Sequence, residues 1–62
     1  MNKRKEIELL WPFIKEKFCD IEFMNGYIES NIYIEDFTGT YIVDGRGKML
    51  SIKSIKKIHI NG

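Results

Sequence analysis

The chain has 62 residues, 44% of them hydrophobic, with 10 Lys plus Arg against 9 Asp plus Glu and a formal net charge of +1. That length excludes more than one small domain and leaves a thin margin between core burial and chain entropy. One Cys excludes an intrachain disulfide, one Cys with one His falls short of a zinc site, and balanced charge removes the bulk argument for a nucleic-acid or membrane-surface protein.

Met1-Asn2-Lys3-Arg4-Lys5 imitates the charged start of an export signal, but Glu6, Glu8, Lys15 and Lys17 interrupt any apolar run behind it. The expectation is a cytoplasmic chain without a membrane segment, in line with its free Cys. Eleven Ile and eight Lys, with no Ala and no Gln, suit an AT-rich gene of a low-GC bacterium or phage.

Ile7, Leu10, Trp11, Ile14 and Phe18 recur at helical spacing and predict an amphipathic helix over 3–18. Pro12 removes one helical hydrogen bond, so the expectation is a kink there, with a break at Trp11 and a short helix from Pro12 as the alternative. Leu9 and Phe13 lie off the stripe, four residues apart, and form a second apolar patch for a partner, a second subunit or the chain's own sheet edge.

From Asp20 the period changes to two. Ile21-Glu22-Phe23-Met24 runs into Asn25-Gly26, which signals a type I′ hairpin turn. Tyr27-Ile28-Glu29 and Ile32-Tyr33-Ile34-Glu35 then read as one long strand bent at Ser30-Asn31. Thr40-Tyr41-Ile42-Val43 is a third strand, Asp44-Gly45-Arg46-Gly47 a tight turn, and Met49 to Lys53 a fourth strand. Ser54-Ile55-Lys56 breaks the alternation as a single 3₁₀ turn before a fifth strand, Lys57 to Ile60. Trp11, Phe13, Phe18 and Phe23 form an expected aromatic set for the core.

This order resembles the Sm-like and SH3-like small barrels, particularly the bacterial Sm-like RNA chaperones with their N-terminal helix. The resemblance is carried by Ile21 to Gly26 as first strand and turn, Tyr27 to Phe37 as the bent second strand, Thr40 to Gly45 as the third, and Met49 to Ile60 for the last two. It implies ring assembly and a uridine-binding pocket. The chain departs from the family where its mid-strand glycine would fall, near Ser30, and in Ser51-Ile52-Lys53-Ser54, which lacks the Lys-His or Arg-Gly pair.

Charge is segregated along the chain: +2 over residues 1–17, −6 over 18–45 and +5 over 46–62. Acidic central strands beside basic terminal strands predict cross-strand pairs worth a few tenths of a kcal/mol each. Two functional readings stand beside that one. Glu29, Glu35 and Asp36 can form an acidic face that competes for the basic groove of a nucleic-acid-handling protein. Conversely, Arg46, Lys48, Lys53, Lys56 and Lys57, with Tyr33 or Tyr41 for stacking, can hold single-stranded RNA or DNA.

Catalytic constellations are weak. Cys19 and His59 are the only thiol–imidazole pair, with Cys19 at an element boundary and His59 alternating onto the solvent face. Asp44-Gly45-Arg46-Gly47-Lys48 lacks the upstream glycine and the Ser or Thr of a phosphate-binding loop and reads as a hairpin turn. The expectation is an α+β chain forming one domain over 1–62, with helix 3–18 and an antiparallel sheet over 20–61 that is strongly bent or closed into a small SH3/Sm-like barrel. Its expected role is that of a non-enzymatic, oligomeric binding protein of phage or mobile-element type, without cofactor or metal, that modulates or inhibits a larger protein partner. The alternative is an Sm-like RNA-binding subunit using the basic C-terminal segment.

Overall fold

The computed structural model describes residues 2–61. Helix α1 spans Lys3–Ile14, capped by Asn2, whose Oδ1 accepts the Lys5 N–H at 2.8 Å. It runs through Pro12 without the break considered at Trp11, and buries Ile7 and Ile14.

The helix ends four residues before the predicted Phe18. Lys15 N–H donates to the Trp11 carbonyl, and Glu16 then takes a left-handed φ of 57°. Glu16 N–H is captured by the Ile34 carbonyl at 2.8 Å, and Ile34 N–H returns to the Lys17 carbonyl at 3.0 Å. Strand pairing thus claims the backbone that a longer helix would use. Phe18 becomes the first residue of β1 (Phe18–Phe23) and is 54% exposed.

β1 is followed by β2 (Ile28–Phe37), β3 (Tyr41–Asp44), β4 (Met49–Ser51), a 3₁₀ turn η1 (Ile52–Ser54) and β5 (Ile55–Ile60). The strands form one five-stranded antiparallel sheet in the order β4-β3-β2-β1-β5. No pairing joins β4 to β5, so the sheet is not closed into a barrel.

The β1–β2 turn corrects the type I′ expectation. Gly26 N–H donates to the Phe23 carbonyl and Phe23 N–H to the Tyr27 carbonyl, and Gly26 alone in the turn has a positive φ, 91°. That is the three-residue hairpin loop with glycine at its left-handed position, so Asn25 needs no positive φ. At the expected bend, Ser30 and Asn31 together face Asp20, since Cys19 pairs with Ile32 and Ile21 with Glu29. The feature is a β-bulge with Asn31 at φ 56°.

The 3₁₀ turn falls two residues before its predicted place, shortening β4 and lengthening β5. Burial explains the shift: Ile52 and Ile55, three apart and so eclipsed on a 3₁₀ turn, both enter the core. The core is aliphatic, built from Ile7, Ile14, Cys19, Ile21, Ile32, Ile34, Ile42, Leu50, Ile52 and Ile55. Trp11 and Phe23 pack against it, but Phe13 and Phe18 are exposed, against the expectation of a four-member aromatic set. Trp11 meets Phe37 with ring centroids 5.9 Å apart, which places α1 over the end of β2, and α1 also packs against η1.

Candidate interaction surface

Leu9 and Phe13 stand one helical turn apart on α1, 58% and 64% exposed, away from the core that Ile7 and Ile14 enter. Both side chains of the expected second patch are therefore exposed.

The acidic centre and the basic C-terminal segment meet. Glu29 of β2 lies 3.6 Å from Arg46 Nη2 and 4.0 Å from Lys48 Nζ, both on the β3–β4 turn. Across β1 and β5, Lys56 Nζ lies 3.8 Å from Glu22 Oε2. The Lys56 carbonyl accepts Lys3 Nζ at 3.0 Å, tying β5 to the start of α1. The three ion pairs are long and their basic partners exposed, so each contributes little stability, but they occupy three of the five candidate nucleic-acid residues. Lys53 and Lys57 are exposed and carry no ion pair among the described residues. Glu35 and Asp36 are exposed too, and Asp36 Oδ1 accepts the Phe37 N–H at 2.8 Å.

Cys19 and His59 do not form a dyad. Cys19 is fully buried opposite Ile60, and burial, with a smaller push from the Asp20 charge, raises its thiol pKa. His59 is exposed and pairs in register with Asp20. Among the described residues no group of His, Cys, Asp and Glu side chains could hold a metal ion, and no helix is long and apolar enough to cross a membrane.

Two features were missed in the sequence. Asp20 Oδ1 accepts the Asn31 N–H at 3.0 Å and the Asn61 Nδ2 at 2.8 Å, while the same Asn61 nitrogen donates to Asn31 Oδ1 at 2.8 Å. This cluster pins the bulge of β2 and the end of β5 to β1. The second is Asp44, 2% exposed, whose Oδ1 accepts the N–H groups of Arg46 and Lys48, both at 2.9 Å. An Asp opening a Gly-containing turn was the available signal, because such a side chain bonds backbone two residues on.

Asp44 lines an open groove of ≈ 670 Å³ with Phe18, Tyr33, Glu35 and Arg46. Phe18 and Tyr33 meet edge to face with centroids 5.3 Å apart. A smaller groove of ≈ 320 Å³ includes Phe23, Tyr27, Lys48 and Met49. Compared with known proteins, no family model, no curated protein and no solved structure matches this chain.

Proposed function

We propose that the chain is a small non-enzymatic binding module that associates with copies of itself and modulates a larger protein partner. The supporting observation is the exposed Leu9–Phe13 pair on a helix whose opposite stripe already fills the core. Two large apolar side chains one helical turn apart offer a surface that a partner or a second copy can cover. The pairing of Arg46, Lys48 and Lys56 with carboxylates weakens the case for a phosphate-binding face.

The sheet is also inferred to curl strongly. Its two end strands follow one another in the chain, and the four residue steps from Ser51 to Ile55 reach at most about 14 Å. A flat sheet of five strands would separate them by about 19 Å.

The second reading, an Sm-like nucleic-acid-binding subunit, draws on Lys53 and Lys57, which face solvent without an ion pair among the described residues. One experiment separates the two. Capture of a protein partner from the native host, lost on the double change Leu9→Glu and Phe13→Glu, supports the first. Salt-sensitive binding to labelled single-stranded RNA or DNA, lost on Lys53→Glu and Lys57→Glu, supports the second and overturns the first.

A further inference from the structure

Asp44 carries an unfinished hydrogen-bond set. Its Oδ1 is satisfied by two backbone donors, but its Oδ2 is buried and no donor among the described residues bonds to it. The nearest cation, Arg46 Nη2, stands at 3.9 Å, beyond hydrogen-bond range. Arg46 is a poor occupant of that position: its side chain is 79% exposed and lies closer to Glu29, at 3.6 Å. A buried carboxylate oxygen left without a donor is costly, so native folds complete such an atom with an ordered water, a ligand or an ion.

The surroundings specify the missing donor. The Phe18–Tyr33 pair supplies aromatic surface, and Glu35, exposed and without an ion pair among the described residues, adds a second carboxylate to the groove. Two acids against one Arg leave the groove net negative, which disfavours phosphate. A planar guanidinium stacks on aromatic rings and presents a fork of N–H donors, so it can bond a carboxylate and cover a ring at once. The geometry points to this groove as a binding site for the guanidinium group of an arginine on a protein partner, with Asp44 Oδ2 as its principal acceptor. Arg46 swings toward Glu29 to admit it. The assignment deepens the protein-partner reading and rests on it.

The test is a nitrogen-15 NMR titration of the full chain with a blocked Gly-Arg-Gly peptide and its citrulline counterpart, which keeps the shape and loses the charge. The arginine peptide should shift the amides of Tyr33, Gly45 and Arg46 saturably, and the citrulline peptide should bind at least about tenfold more weakly. Arg46→Ala removes the competing internal guanidinium and should tighten binding severalfold, while Glu35→Gln should weaken it severalfold. Both changes lie at exposed side chains, so the fold is retained. Absence of saturable shifts with the arginine peptide overturns the site. So do equal shifts from the citrulline peptide, or shifts of the same amides produced instead by nucleoside monophosphates. If the groove fails while partner capture still depends on Leu9 and Phe13, the groove alone falls. If arginine binds but capture ignores Leu9 and Phe13, the helix patch falls and the groove stands.

Discussion

Asp20 sits opposite the bulge of β2, where the Asn31 backbone N–H and then the Asn61 side chain hold its carboxyl below the ordinary 3.8, against desolvation and with a lesser contribution from His59. A carboxyl whose folded pKa is lowered contributes stability above its unfolded value, and that contribution is lost as pH falls through the folded value. The urea midpoint should therefore fall on the acid side, starting near the ordinary carboxylate range. Asp20→Asn keeps an acceptor oxygen and removes the titration, so its acid limb should be flatter than that of the parent chain. An identical acid limb in both would refute the assignment. Cys19 titrates in the opposite sense: its raised thiol and full burial predict slow alkylation in the native state. Iodoacetamide labelling should accelerate along the urea unfolding curve, and native labelling at the unfolded rate would contradict the burial. At Asp44, truncation to Ala strands the N–H groups of Arg46 and Lys48. Asp44→Ala should cost about 1–3 kcal/mol, read as a lower urea midpoint, and Asp44→Asn should cost less because it keeps an acceptor.

At the scale of elements, the helix stop is the most informative departure from sequence expectation. Ile7, Leu10, Trp11 and Ile14 were legible as a stripe because a 3.6-residue period is a local property, and each is buried or packs on the core. Phe18 continued the period, but its fate depended on β2, whose Ile34 takes the backbone of Glu16 and Lys17 in a pairing between residues far apart in sequence. No glycine marked the stop, since Glu16 adopts the left-handed conformation that glycine usually supplies. Glu16→Gly should accordingly stabilise the chain by about 0.5–1 kcal/mol, measured by urea unfolding, because it relieves the steric cost of φ 57°. Destabilisation would mean that the Glu16 side chain earns its place through a contact. The turn after Val43 was legible from Asp-Gly-Arg-Gly, and the strands from alternation, whereas the place of η1 was not. Ile52 and Ile55 fit a continuing strand and a 3₁₀ turn equally well until both must be buried. The same limit hid the groove, since Phe18, Tyr33 and Asp44 belong to three strands and only the register of β1 with β2 and β2 with β3 brings them together.

For the whole molecule, the question is how much of the stability its core supplies, since a single Cys allows no intrachain disulfide. Ten buried hydrophobic residues, only one of them Leu and none aromatic, form a modest core among the described residues. Against it stand nine exposed large hydrophobics in the same set, including Leu9, Phe13 and Ile60. The outer edges of β4 and β5 also present backbone groups that no strand pairs. The proposed self-association would address both deficits, burying apolar surface and covering strand edges. A fold stabilised in this way has a midpoint that rises with protein concentration, because association draws molecules from the unfolded pool by mass action. Sedimentation should show a species larger than the monomer at micromolar concentration, and the urea midpoint should rise as the chain is concentrated. Leu9→Glu with Phe13→Glu replaces exposed side chains, so it leaves the core intact while placing charge in the proposed contact. That variant should sediment as a monomer with a concentration-independent midpoint near the parent's dilute limit. A parent chain that is already monomeric, with the same midpoint at every concentration, would show that the aliphatic core alone is sufficient and that the helix patch is not a self-association surface.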